Sequence, residues 1–145
     1  KDSFIGILVA VGIIFLGTII PGIGVIGIPN VQSVVGTIEK ALIIIVAAGI
    51  AEELFFRDLS HDFFERKLKL PFIISALIIA VLFAFFHFVA YGGNLSAAQG
   101  SFVTAGFSSL VFSYLNKFTN SQASNITAHM TLNTWLGFIK LAIIF

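Results

Sequence analysis

Apolar residues fill five long stretches of the 145-residue chain, at roughly 4–20, 38–57, 72–91, 99–116 and 123–145. A helix that crosses a bilayer needs about 20 mostly apolar residues, and all five stretches approach that length. Apolar positions occur on every face of each stretch, as lipid-facing helices require. Between the first two stretches, the glycines and prolines of "PGIGVIGIPN" (21–30) predict a loop or a short re-entrant segment. The pattern predicts an all-α, polytopic transmembrane helix bundle of about five helices.

The composition agrees with a single membrane domain spanning residues 1–145. The sequence is 58% hydrophobic and 10% charged, with a mean hydropathy of +1.06, which is too little charge to cover a soluble surface. A net charge of +1 without a basic run argues against nucleic acid as a partner. Cysteine is absent, so disulfides and thiolate chemistry are excluded within this sequence. With no initiator Met, no cleavable signal peptide and an end inside "KLAIIF", the chain is expected to be a piece of a longer membrane protein.

The basic residues of the short connections predict the orientation of the bundle. The connection after the third stretch, "YGGNLSAAQG", has none, and the one after the second has four: Arg57, Arg66, Lys67 and Lys69. Alternating helices place Lys1 and Lys117 on the same side as these four, whereas Lys40 and Lys140 lie near the other side. The basic side is predicted to be cytoplasmic, in the cell membrane.

A few ionisable residues lie inside the apolar stretches, and a charged side chain there costs at least about 2.5 kcal/mol, so each is a functional candidate. If the second helix continues to about Lys67 and the chain turns before Pro71, Glu52 and His87 lie at the same height on antiparallel neighbours. His129 and Asn133, spaced i and i+4, share a face of the last helix. The height of His129 matches that of Glu52 and His87 less well. A match requires the turn between the fourth and fifth helices to lie deeper in the membrane.

The adjacent carboxylates Glu52 and Glu53 point about 100° apart on a helix. Glu53 and Arg57 have the i, i+4 spacing and the order that favour an ion pair. Glu52 is then left without a local partner, and we expect it to face a cavity as a general base. The competing interpretation is that these charges mark the point where the helix leaves the membrane.

Three motifs occur in order along these helices: E-E-x-x-x-R in "EELFFR" (52–57), F-x-x-x-H in "FAFFH" (83–87) and H-x-x-x-N in "HMTLN" (129–133). Together they resemble the CAAX-protease and bacteriocin-processing (CPBP, or Abi) family of intramembrane proteases, over a motif-bearing core of about residues 40–135. Each motif alone is weak, but the ordered set is specific.

The resemblance implies a glutamate-dependent peptidase that needs no cofactor or metal and opens towards the cytoplasmic side. By motif position, Glu52 would activate water with help from His87, and His129 and Asn133 would stabilise the oxyanion. Glu53, Arg57 and Phe83 would be supporting residues. The substrate would be a membrane-associated peptide or lipidated protein. Members of the family also mature bacteriocins, confer immunity or act as scaffolds without proteolysis, and the motifs do not separate these roles.

Several alternatives are weighed against this interpretation. Glu52, His87 and His129 could supply three ligands to zinc, although no H-E-x-x-H motif occurs. A serine protease lacks a G-x-S-x-G motif, and an aspartyl protease lacks two membrane aspartates. His61, in the charged connection, is interpreted as a solvated or interfacial residue. A membrane scaffold or a transporter also remains open, although a transporter would normally contain repeats.

Overall fold

The fold is seen in a computed structural model that describes the backbone of residues 2–19, 38–90 and 95–144. The predicted loop at 21–30 lies outside these residues. Five α-helices follow one another: α1 (Asp2–Ile19), α2 (Ile38–Glu53), α3 (Phe72–Ala90), α4 (Leu95–Thr119) and α5 (Gln122–Ile144). No strand occurs in the part of the chain that the structure describes. The all-α class and the number of helices are therefore confirmed.

Helix α2 does not end at Glu53 but continues through two π-helical stretches, Leu54–Leu59 and Asp62–Lys67. We call residues 54–67 the α2 extension. The wider i→i−5 bonding is visible where the amide of Leu68 donates to the carbonyl of Phe63, at 3.0 Å. Such π-helical turns are rare and often occur at functional sites. The sequence-based assumption that this helix reaches Lys67 is confirmed.

Two sharp turns set the relative heights of the helices. The first follows the α2 extension, where Lys69 has a positive φ of 55° and Pro71 precedes α3. The second lies between α4 and α5, where Asn120 has a φ of 48°. Asparagine tolerates this left-handed conformation better than most residues. Each turn makes antiparallel neighbours of the helices that it joins.

The helices bury two apolar clusters. One joins α1, α4 and α5 through Ala10, Ile13, Phe112, Leu115, Ala128 and Leu132. The other joins the α2 extension, α3 and α4 through Phe56, Ile79, Phe83 and Ala105. Close packing of α1 on α5 depends on Gly6, because a Cβ there would collide with the backbone carbonyl of Ser124. The ionisable residues of α2, α3 and α5 meet between these clusters.

Helix α3 has the properties of a membrane-spanning segment. Among the described residues it is the one helix long and apolar enough to cross a membrane by length and composition, and the apolar stretch Asp2–Leu16 is shorter. Large apolar side chains of α3, including Leu77, Val81 and Phe85, are about half exposed. Lipid, rather than water, suits such a surface. That all five helices cross the membrane stays a prediction.

Candidate active site

The carboxylate of Glu52 faces two histidines that come from different helices. Its Oε2 atom lies 3.9 Å from Nε2 of His87 on α3 and 3.6 Å from Nε2 of His129 on α5. These distances are too long for direct hydrogen bonds. Oε2 is buried and has no hydrogen-bond partner among the described residues. The predicted match in height between Glu52 and His87 is therefore observed, and His129 also reaches the site.

The tautomer of His87 follows from its second ring nitrogen. Nδ1 lies 2.9 Å from the backbone carbonyl oxygen of Phe83, one turn earlier on α3. A carbonyl oxygen can only accept, so Nδ1 must carry a hydrogen and donate it. In the neutral ring, Nε2 then presents a lone pair towards Glu52. The ring of Phe83 packs against the imidazole, with 4.4 Å between the ring centroids.

His129 is oriented by Glu53 in a similar way. Its Nδ1 lies 2.7 Å from Oε1 of Glu53, and both side chains are buried. An ionised carboxylate only accepts, so Nδ1 donates and Nε2 is the atom turned towards Glu52. The two adjacent glutamates thus meet opposite edges of one imidazole. A histidine whose Nδ1–H is held by a buried carboxylate is fixed in orientation and in tautomer.

Arg57 pairs with Glu53 and helps to hold the site in place. Its Nε lies 3.4 Å from Oε2 of Glu53, and both side chains are fully buried. The guanidinium carbon lies 4.5 Å from the ring centroid of Phe83 and 5.3 Å from that of Phe112. Aromatic faces attract a guanidinium, most strongly where water is excluded. The predicted Glu53–Arg57 ion pair is therefore present.

Burial limits the net charge of the ionisable cluster, which consists of Glu52, Glu53, Arg57, His87 and His129. The net charge in turn depends on how many protons these side chains hold. With Glu52 and Glu53 ionised and both histidines neutral, the single cation Arg57 leaves a net charge of −1. Burying an uncompensated charge is costly. One further proton on the set formed by Glu52, His87 and His129 brings the cluster to neutrality. The site is thus suited to hold and transfer a proton.

The structure changes two details of the sequence-based interpretation. Glu53 does not serve Arg57 alone, because its other oxygen binds His129. Glu52 does not face His87 alone, because His129 lies slightly closer. Asn133 is half-buried one turn after His129, and within the described residues no hydrogen bond joins it to Glu52 or either histidine. The sequence did not predict the contact between Glu53 and His129, because these residues are 76 positions apart.

His61 was predicted to be solvated or interfacial, and the solvated alternative is wrong. His61 is only 7% exposed and hydrogen-bonds Glu65 of its own helix and Ser113 of α4. The i, i+4 spacing of His61 and Glu65 was visible in the sequence. The position of Ser113 was not, because it depends on how α4 packs against the α2 extension. Asn125, fully buried one turn before His129, is another polar residue that the sequence reasoning missed.

An all-helical fold with an apolar spanning helix and a buried glutamate–histidine cluster defines a helical membrane protein with a site suited to proton transfer. Comparison with protein families identifies it further: residues 34–135 match the family described as Type II CAAX prenyl endopeptidase Rce1-like. The chain belongs to this family of membrane-embedded proteases, which confirms the resemblance carried by the three motifs. No curated protein and no solved structure matched the chain.

Proposed function

We propose that this protein is an intramembrane endopeptidase that hydrolyses a peptide bond of a membrane-associated protein or peptide with water activated by Glu52 and His87. The observation that carries the proposal is the approach of two imidazole Nε2 atoms to one buried carboxylate oxygen, at 3.6 and 3.9 Å. Family membership supports a membrane endopeptidase in general, and this geometry supports the particular roles.

With Glu52 ionised and both histidines neutral, three hydrogen-bond acceptors face one another: Oε2 of Glu52 and the lone pairs of two Nε2 atoms. A water molecule between them can donate one hydrogen to Glu52 and the other to His87, since gaps beyond 3.5 Å suit a bridging water. Its oxygen then adds to the substrate carbonyl carbon while Glu52 takes the proton. When the C–N bond breaks, this proton goes to the leaving amine. Glu52 is thus both base and acid in one turnover.

The oxyanion formed in this step requires hydrogen-bond donors. His129 becomes such a donor when it is the residue that carries the extra proton of the cluster, because Nε2–H then points into the site. The carboxylate of Glu53, 2.7 Å from Nδ1, holds the ring in the orientation that directs Nε2 into the site. We propose that Asn133 contributes its side-chain amide from the next turn of α5 once substrate is bound. Donors placed in advance in a dry site are worth about 2.7–4 kcal/mol each in transition-state stabilisation.

The proposed site opens towards the cytoplasmic side of the cell membrane. Support comes from the basic residues of the α2 extension and the following turn, which lie beyond Glu52 along the same helix. The proposed substrates are peptides or lipidated proteins that approach from that side. Bacteriocin maturation and immunity are compatible roles for the same chemistry.

A zinc-dependent peptidase is the second candidate, because each imidazole also has an Nδ1 partner of the kind that orients metal-binding histidines. Within the described ranges, however, no group of three His, Asp or Glu side chains could hold a metal ion. We propose a metal-independent reaction, as the resemblance carried by the three motifs implies. Peptidase activity should survive dialysis against a strong chelator, and activity lost on chelation and restored by zinc would favour the metal mechanism.

The decisive substitution is Glu52→Gln, tested with a prenylated CAAX reporter peptide in detergent or proteoliposomes. General-base catalysis contributes about 10²–10⁴-fold, so cleavage should fall by at least that factor while the protein stays folded. Asp62→Asn is the matched control, since Asp62 lies on the same helix and is exposed. Unchanged turnover in the Glu52→Gln variant would sink the mechanism. A biological effect that survives loss of both Glu52 and His87 would favour a non-proteolytic scaffold.

A further inference from the structure

A second chain of hydrogen bonds lies beyond the candidate active site, towards the charged end of the α2 extension. Nε2 of His61 lies 3.0 Å from Oγ of Ser113 on α4, and Nδ1 of the same ring lies 2.6 Å from Oε1 of Glu65. The imidazole stacks on the ring of Phe72, with centroids 5.7 Å apart and an interplanar angle of 17°. A hydroxyl, an imidazole and a carboxylate are thus aligned in the order needed to activate a nucleophile.

These residues line a cavity of about 330 Å³ between the α2 extension and α4. The cavity has charged and polar walls, to which Arg57, Asn116 and Lys117 also contribute. Nη1 and Nη2 of Arg57 are buried and have no hydrogen-bond partner among the described residues. The side-chain amide of Asn116 uses one hydrogen on the carbonyl of Arg57, at 3.2 Å, and retains another. These Arg57 atoms are not accessible from the cavity, so the donor in its wall that suits a developing negative charge is the side-chain amide of Asn116. Asp58 and Asp62 also line the cavity.

We propose that Ser113, His61 and Glu65 form a second catalytic site, in which Ser113 is a nucleophile towards a small carboxylic ester. Glu65 accepts the Nδ1 hydrogen and fixes the tautomer, so that Nε2 is the base that faces the hydroxyl. Lys117, whose Nζ lies 3.3 Å from the other oxygen of Glu65, holds that carboxylate in position. A cavity of this volume accommodates a short acyl chain and a small alcohol.

The reaction proceeds through an acyl-enzyme. Nε2 of His61 takes the proton of Ser113 as Oγ adds to the ester carbonyl carbon, and the oxyanion faces the side-chain amide of Asn116. The ester C–O bond then breaks, and the alcohol leaves with the proton from His61. In the second half, His61 takes a proton from water, whose oxygen adds to the acyl carbon. The acyl–Oγ bond breaks, Ser113 regains its proton, and the carboxylic acid is released.

The surroundings of His61 keep the ring neutral and therefore basic. Burial lowers the pKa of His61 below its ordinary value of 6.5, and Arg57 and Lys117 act in the same direction, whereas Glu65 opposes them. The proton-accepting form thus predominates at neutral pH. Serine activation should rise with pH through a midpoint below 6.5 and remain level above it.

The test is covalent labelling of the folded, detergent-solubilised protein with a small dialkyl fluorophosphate, followed by mass-spectrometric mapping of the adduct. We expect one adduct at Ser113 with the pH profile given above. Labelling should disappear in Ser113→Ala and slow by about 10²-fold or more in His61→Gln, as loss of a general base predicts. Ser109→Ala is the matched control, because Ser109, like Ser113, is a buried serine of α4 but lies one turn earlier and does not line the cavity. Its labelling should equal that of the unaltered protein.

A second measurement uses the absence of cysteine from this sequence. In a Ser113→Cys variant, iodoacetamide should alkylate the new thiol at least about tenfold faster at pH 7 than in a Ser109→Cys variant, because a neighbouring imidazole promotes the thiolate. Adding His61→Gln should abolish the difference.

The proposal would be overturned if Ser113 of the folded protein were not labelled, or if the His61→Gln variant were labelled at the same rate. These residues would then be a structural link between helices. Equal alkylation of the two cysteine variants would also overturn it. Neither readout involves peptide cleavage, so this proposal and the peptidase proposal fail independently.

Discussion

Two i, i+4 ion pairs, Glu53–Arg57 and Asp62–Arg66, lie on α2 and its extension. Comparing them tests how burial changes the contribution of an ion pair to the free energy of unfolding. Glu53 and Arg57 are fully buried, whereas Asp62 and Arg66 are 46% and 83% exposed. Replacing Glu53 with Gln keeps the shape but turns one carboxylate oxygen into a donor. Because one oxygen faces the Nδ1–H of His129 and the other faces Arg57, one of the two contacts must then join donor to donor.

The expected cost follows from this geometry. Breaking a buried pair and leaving a charge uncompensated costs about 3–5 kcal/mol in the free energy of unfolding. For a chain of this size each kcal/mol shifts the melting temperature by roughly 2–4 °C, so the Glu53→Gln variant should melt roughly 6–20 °C lower. The control, Asp62→Asn, removes an exposed pair worth about 0–1 kcal/mol. Its melting temperature should change by a few degrees at most.

The assay is thermal unfolding in detergent micelles, followed by far-ultraviolet circular dichroism, with both variants purified in parallel. Activity gives a second readout. The Gln variant should lose peptidase turnover beyond what unfolding explains, because the amide has one acceptor atom instead of two and cannot orient both His129 and Arg57. A drop in melting temperature no larger than that of Asp62→Asn would refute the reasoning that Glu53 neutralises a dry, charged site.

The remaining predictions concern the oxyanion donors and helix packing. His129→Ala and Asn133→Ala should each lower kcat by about 10²–10³-fold with little change in KM if both act in the transition state; steady-state kinetics check this, and a change confined to KM would contradict it. Gly6→Ala should destabilise the protein, because the added Cβ meets the carbonyl of Ser124, whereas Gly12→Ala has open space and should stabilise it by roughly 0.5–1 kcal/mol. Thermal unfolding of the two glycine variants checks the difference, and equal melting temperatures would contradict the close packing of α1 on α5.

The helices and much of the candidate site could be predicted from local pattern. Long apolar stretches gave five helices, because a chain in lipid must satisfy its backbone hydrogen bonds within each helix. The spacing of Glu53 and Arg57 predicted their ion pair, because residues four apart share a helix face. The equal distances of Glu52 and His87 from the turn before Pro71 predicted their matched height, because helix rise is constant.

Tertiary structure alone decided the partners that come from distant helices. The sequence contained Glu53 and His129, but only the packing of α5 against α2 joins them and so assigns the tautomer of His129. In the same way, α4 brings Ser113 to His61 and turns an apparently solvated histidine into a buried one. Helical periodicity fixes which residues of one helix share a face. The rotation and contact of one helix against another depend on side-chain packing across the whole bundle, which no local pattern specifies.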